Sequence, residues 1–250
     1  MHLVHPGLSQ KVCVLSSSGW ERAQHWSHFF QCPLNPVDPK LFPYQFYSDP
    51  EHTYLLDFQG RRLEIDFDKN HLDYARRSHR GKNELIAKAL GASKGYKRIL
   101  DLSVGMAVDS VFLCQLGFDV VGVERSPILY ALLSEAFQKT QNPILKNYQL
   151  HFDDSLNFLK THKGNLEIDA IYFDPMYPHK KKSALPKQEM VVFRDLVGDD
   201  VDSTQVFEEA LLWPVHRVVV KRPLHAEILG ERCTHSYTGK VVRYDTYVVG

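Results

Sequence analysis

Ile99-Leu-Asp101-Leu-Ser103-Val-Gly105 and, further on, Val120-Val-Gly-Val-Glu124-Arg125 decide the fold of this chain. Each is built on a short apolar run that leads into an acid. A helical segment, Ala107 to Leu116, separates them. The pattern then repeats. Apolar runs end at Asp101, Val123, Phe152, Phe173 and Val220. The helical segments between them are Ala107 to Leu116, Pro127 to Lys139, Ser155 to Thr161 and, with breaks, Gln188 to Leu212. Strand and helix alternating at this spacing predict an α/β fold with a parallel sheet covered on both faces. The tail departs from the alternation. Arg232 to Tyr237, the turn Thr238-Gly239, and Lys240 to Val249 read as an antiparallel hairpin.

Upstream the chain reads differently. Residues 1–75 are rich in proline and aromatics, and are expected to form a small α+β appendage to a main domain of residues 76–250. Lys11 to Leu15 reads as a short strand. Tyr54 to Phe58, the turn Gln59-Gly60, and Arg61 to Phe67 read as a hairpin in which Leu63, Ile65 and Phe67 alternate with polar residues. Ser78 to Leu90 reads as a helix that Gly91 ends.

Composition narrows the class of protein. With 250 residues, 44% hydrophobic and 24% charged, the chain is an ordinary globular sequence. No apolar run is long enough to span a bilayer, and Met1-His-Leu-Val-His-Pro-Gly lacks the regions of a signal peptide. The four cysteines are scattered without a CxxC pair, and Cys114 in its apolar run reads as core. A cytoplasmic protein is expected. The net charge of +0 argues against indiscriminate coating of polyanions. Basic residues nevertheless cluster, at Arg76, Arg77 and Arg80, at Lys180 to Lys182, and at Lys221-Arg222. A solvated surface is the plain reading of any one cluster.

In open α/β sheets, ligands bind beyond the carboxyl ends of the strands. Asp101 ends the first strand, with Ser103 and Gly105 just beyond it, and Glu124 ends the second. An acid at that second position can accept hydrogen bonds from both hydroxyls of a ribose. Gly105 permits close backbone approach to a nucleoside. Asp109 opens the next helix, either capping it or meeting the amino-acid part of a cofactor. Asp153-Asp154-Ser155 follows the third run, within reach of an adenine amine. Asp101 taken alone could equally be a turn-capping acid. The loop Gly105-Met-Ala107-Val-Asp109 lacks GxGxxG spacing, which weakens a dinucleotide reading. S-adenosylmethionine has no pyrophosphate and needs no such loop. The parallel sheet with its terminal hairpin is the arrangement of Rossmann-like class I methyltransferases.

The fourth strand delivers Ile171-Tyr-Phe-Asp174-Pro175-Met-Tyr177-Pro-His179-Lys180-Lys181-Lys182. An exocyclic base amine is a poor nucleophile because its lone pair is delocalised into the ring. A carboxylate and a carbonyl that accept its hydrogens favour a more tetrahedral nitrogen. Asp174 and the carbonyl of Pro175 suit those tasks, and proline has no N–H to compete. Tyr177 can stack on the base, a contact of about 1–3 kcal/mol. Asp-Pro alone is also an ordinary turn. The 13 histidines contain no HxxxH pair, and no metal is expected.

These stretches resemble the RsmJ family, the small-subunit (16S) ribosomal RNA guanine-N2 methyltransferases. The resemblance lies in Asp174 to Leu185, Glu189-Met190, Phe193 to Gly198, Arg217-Val-Val-Val-Lys-Arg-Pro223 and Glu124-Arg125-Ser-Pro127. It covers residues 70 to 249 well. It implies S-adenosylmethionine, converted to S-adenosylhomocysteine, with contacts at Val108-Asp109, Glu124-Arg125, Asp154-Ser155 and Asp174. Where the family has Gly-Leu-Gly-Arg-Asp, this chain has Gly105-Met-Ala-Val-Asp109.

The expected function is therefore methyl transfer to a guanine amine in small-subunit ribosomal RNA. Asp174, Pro175 and Tyr177 would act on the base. His179 to Lys182, Lys221, Arg222, Arg76, Arg77 and Arg80 would grip the RNA. No membrane partner is expected. Two alternatives remain: a methyltransferase for an adenine or cytosine amine, and a non-catalytic RNA-binding assembly factor on the same fold.

Overall fold

The computed structural model describes residues 8–18, 20–68, 84–176, 201–231 and 233–249. Tyr177, His179 to Lys182, Arg76, Arg77 and Arg80 lie outside them, as do the starts of the helices expected over 78–90 and 188–212. The chain divides into two compact units.

The larger unit takes in the described residues of 84–125, 141–176 and 201–249. Its strands are β5 (Arg98–Asp101), β6 (Asp119–Glu124), β7 (Gln149–Phe152), β8 (Ala170–Phe173), β9 (Arg217–Pro223), β10 (His235–Thr238) and β11 (Val242–Val248). They form one sheet in the order β10-β11-β9-β8-β5-β6-β7. Strands β5 to β9 pair in parallel, while β11 runs antiparallel to both β9 and β10. The helices are α3 (Leu85–Leu90), α4 (Val108–Gln115), α6 (Ser155–His162) and α7 (Ser203–Leu211). Gly91 ends α3 in the left-handed conformation, as its place in the sequence predicts.

Apolar continuity explains the parallel strands. Parallel strands are buried on both faces, so they read as unbroken apolar runs. All four residues of β8 are buried, and Val218 to Val220 of β9 are fully so. Of these, Ile171, Phe173, Val218 and Val220 share one core with Leu100, Val121, Phe158 and Trp213, where the Trp213 indole N–H donates to the Leu159 carbonyl at 2.9 Å.

The strand order reverses at β5. The chain runs outward through β6 and β7, then returns to β8 on the other side of β5. A ligand crevice belongs at this switch point, beyond the carboxyl ends of β5 and β8. Gly122 lets the neighbouring strand carry its acid into place. A Cβ on Gly122 would lie 2.2 Å from the Tyr148 hydroxyl and 2.6 Å from Cγ2 of Val104.

The other unit joins residues 8–68 to residues 126–140. Its sheet runs β1 (Val12–Leu15), β2 (Tyr44–Ser48), β3 (Thr53–Asp57), β4 (Arg62–Leu63). The expected hairpin is present as β3 and β4, with Leu55 opposite Leu63, but β4 stops at Leu63 and does not continue to Phe67. Strand β2, parallel to β1, was not anticipated, nor was helix α2 (Trp20–Phe30). Helix α5 (Pro127–Lys139), although it follows β6 in sequence, groups here. Its buried Glu135 accepts hydrogen bonds from the Arg22 guanidinium, from the Trp26 indole at 2.9 Å and from the Thr53 hydroxyl at 3.2 Å.

Gly122→Ala is expected to destabilise the protein by about 1–3 kcal/mol, the usual cost of overpacking a core. Urea unfolding checks this, and an unchanged midpoint would show that the strand has room for a side chain.

Candidate active site

Asp101 ends β5 almost wholly buried, at 1% exposure. Its Oδ1 accepts the Ser103 backbone N–H at 2.9 Å, and its Oδ2 accepts the Ser110 hydroxyl at 2.5 Å. The Tyr148 hydroxyl in turn donates to Ser110 at 3.3 Å. Burial pushes the Asp101 carboxyl up to about 6, against the pull of the Ser110 and Ser103 donors. The charges of Asp109 and Asp174 add to the rise. Asp101 thus anchors both ends of the loop that leads into α4.

That loop turns through two left-handed residues, Gly105 at φ 56 and Ala107 at φ 58. The turn presents the Gly105 N–H to Oε2 of Glu124 at 2.8 Å. Ala107 stands where the resembling family has its second glycine. An alanine in this conformation carries strain of roughly 1–2 kcal/mol, yet the path of the loop is kept. Val108 is the first residue of α4, and that helix has no side-chain cap. Asp109 therefore does not cap it and points elsewhere.

Asp109 meets β8 and β9. Lys221 of β9 donates to Oδ2 of Asp109 at 2.6 Å and to Oδ2 of Asp174 at 2.8 Å. The Tyr172 hydroxyl donates to the same Asp109 oxygen at 2.7 Å. The Asp174 backbone N–H donates to the Ser103 hydroxyl at 2.7 Å, tying the end of β8 to the loop after β5. Burial works against the Lys221 ammonium, but the carboxylates of Asp174 and Asp109 outweigh it and hold its pKa above the ordinary lysine value. Pro175 is buried directly after Asp174.

The structure thus brings together Asp101, Ser103, Gly105, Asp109, Glu124 and Asp174. Other predicted residues take different partners. Arg125 pairs with Asp202 at 3.2 Å. Asp154 caps α6, accepting from the backbone N–H groups of Leu156 and Asn157 at 3.0 and 3.2 Å. The buried Ser155 hydroxyl donates to the Leu102 carbonyl at 2.6 Å. Two expectations require correction. Lys221 is not a surface cation for phosphate but the link between two carboxylates. Arg222 is only 6% exposed, because its strand lies inside the sheet. Tyr172, Ser110 and Tyr148 were not singled out from sequence. The register gives the missing signal for Lys221: Phe173 is opposite Val220, so the next residues along β8 and β9 are Asp174 and Lys221.

Among the described residues, four carboxylates meet one lysine here, which makes the crevice acidic. That charge suits S-adenosylmethionine, whose sulfonium and ammonium outweigh its carboxylate. Glu124, buried at the end of the second strand of the parallel sheet, has a carboxylate that could accept the hydroxyls of a ribose. The sheet order, the antiparallel β11 between β9 and β10, and these acids define a class I S-adenosylmethionine-dependent methyltransferase.

The family described as "Putative SAM-dependent methyltransferase" matches residues 50–249. A ribosomal RNA small subunit methyltransferase J from Bdellovibrio bacteriovorus is 66% identical over 96% of both chains. One of the same name from Pseudomonas paraeruginosa is 35% identical over 94% of this chain and 93% of its own. Among solved structures, the SAM-dependent methyltransferase NGO1261 from Neisseria gonorrhoeae superposes with a TM-score of 0.74 at 26% identity, over 96% of both chains. The chain belongs to the ribosomal RNA small subunit methyltransferase J family.

Asp101 makes a pH prediction. With its native pKa raised to about 6, the folded protein keeps a proton that the unfolded chain releases near pH 4. Stability therefore falls as pH rises through this window. Asp101→Asn removes the titration, so the variant should gain on the wild type by roughly 3 kcal/mol between about pH 4 and pH 7. Unfolding curves at both pH values test this; a constant difference between the two proteins would contradict it.

Proposed function

We propose that this protein transfers a methyl group from S-adenosylmethionine to the exocyclic N2 amine of a guanine in small-subunit (16S) ribosomal RNA, in the cytoplasm. One observation carries the reading: Asp174-Pro175 follows β8 at the switch point, with the Asp174 carboxylate held at 2.8 Å by Lys221. The family relationship supports the substrate class.

The cofactor supplies an electrophilic methyl group. Glu124 is placed to accept the ribose hydroxyls, and Asp109 and Asp174 to face its cationic end. Asp101, Ser103, Gly105 and Val108 shape the loop that the nucleoside meets, and Asp154 and Ser155 fix the start of α6 beside it. Arg125, paired with Asp202, borders the same strand end. Asp174 and the Pro175 carbonyl accept the amine hydrogens and aim the nitrogen lone pair. A bound S-adenosylmethionine would supply the methyl group and leave as S-adenosylhomocysteine, and the proton lost by the amine would pass to the Asp174 carboxylate. Tyr177 stacks on the base, which helps offset the few kcal/mol needed to unstack it. In-line positioning can supply roughly 7–11 kcal/mol, more than any single contact. His179 to Lys182, with Arg76, Arg77 and Arg80, supply phosphate contacts in this reading.

Labelled methyl transfer to small-subunit RNA, followed by nucleoside analysis, tests the assignment. The expected product is N2-methylguanosine. Asp174→Ala is expected to lower the rate by at least roughly 100-fold while remaining folded. Label in an adenine or cytosine, or full activity in the variant, would overturn the reading.

A further inference from the structure

We propose that Lys221 is a positioning residue for the methyl transfer: it bridges Asp109 and Asp174, and thereby locks the amine-accepting carboxylate to the helix that faces the cofactor. The inference rests on the reading of Asp174 as the acceptor of the amine hydrogens. Three features of the structure carry it.

The first is geometry. One ammonium contacts Oδ2 of both acids, at 2.6 and 2.8 Å, from a central strand whose neighbours pair with it on both sides. A strand buried in the sheet is a more exact support than a loop. The second is bracing. The Tyr172 hydroxyl at 2.7 Å and Lys221 share one Asp109 oxygen, while the Ser103 hydroxyl receives the Asp174 N–H. Asp174 is thus held through its backbone by the loop after β5 and through its side chain by β9. The third is charge. Two carboxylates that share one cation repel each other once it is removed, and one of them then takes up a proton more readily. A protonated Asp174 is a poorer acceptor for an amine hydrogen. The titratable groups around Lys221 are Asp109 on α4, Asp174 after β8, Tyr172 within β8 and Tyr244 opposite it on β11, with Asp101 at the end of β5 coupled to both acids.

A phosphate contact does not fit this arrangement. The ammonium already serves two carboxylates, and the surrounding charge among the described residues is negative.

The test compares wild type with Lys221→Met and Lys221→Arg at saturating S-adenosylmethionine. Lys221→Met should lower kcat about 100-fold, the usual effect of a misplaced reacting group, and leave KM for the RNA unchanged. The acid limb of its pH–rate profile should move up by about one unit. Lys221→Arg, which keeps the charge, should recover part of kcat and return the limb toward its wild-type position. A raised KM with kcat intact would instead make Lys221 an RNA contact and overturn the proposal. So would wild-type kcat with an unmoved limb. Carbon-13 NMR titration of the aspartate carboxyls in the free proteins gives a readout without substrate. Lys221→Met should raise the apparent midpoints of the Asp109–Asp174 pair, and unmoved midpoints would refute the bridge. If the wild type fails to methylate RNA while the midpoints move, the functional reading is at fault and the bridge stands. If Lys221→Met does not fold, Asp109→Asn should lower kcat in the same direction, and an unaffected kcat would refute the proposal.

Discussion

The site depends on keeping four acids together at the carboxyl ends of parallel strands. Like charges in a partly dry crevice raise one another's proton affinity, and each acid here is compensated differently. Asp101 is buried, with its pKa pushed up to about 6, and takes donors from Ser103 and Ser110. Glu124 takes the Gly105 N–H. Asp109 and Asp174 share Lys221. The result is a crevice held in shape by its own ion pairs and, among the described residues, negative overall. Such a field favours a cationic cofactor over a phosphate-bearing one.

The parallel core was legible because its physics is one-dimensional. Strands β5, β6, β8 and β9 are buried on both faces, so each appears as a continuous apolar run ending near a polar residue. Helix α5 was legible to its ends, since Ser126 and Pro127 mark its start. The terminal hairpin followed from the break in alternation at residue 232 onward. The same periodicity showed where acids must collect, which is why Asp101, Glu124 and Asp174 could be picked out together.

The rest needed contacts between distant residues. Helix α2 buries Ala23, Trp26 and Phe30 on one stripe, but Gln24, His25, Ser27 and His28 between them obscure the period. Strand β2 lies among prolines, and its pairing with β1 spans more than a helix of intervening chain. The grouping of α5 with the first unit turns on Glu135, whose partners Arg22, Trp26 and Thr53 come from far upstream. Lys221 was read as a surface cation because charge in a sequence defaults to solvent. Only the pairing of β8 with β9 places it beside Asp174. The loop before α4 shows the opposite case. Its glycine is replaced by Ala107, yet the left-handed turn persists because Asp101 fixes it from both sides.

The central claim is that this acidic crevice binds a nucleoside cofactor through Glu124. Calorimetric titration of the purified protein with S-adenosylhomocysteine tests it most directly. The account predicts saturable one-site binding, weakened at least about tenfold in Glu124→Ala, since a hydrogen bond to a charged group is worth about 1.5–3 kcal/mol. No binding by the folded wild-type protein would contradict it. Equal affinity in the variant would remove Glu124 from the site.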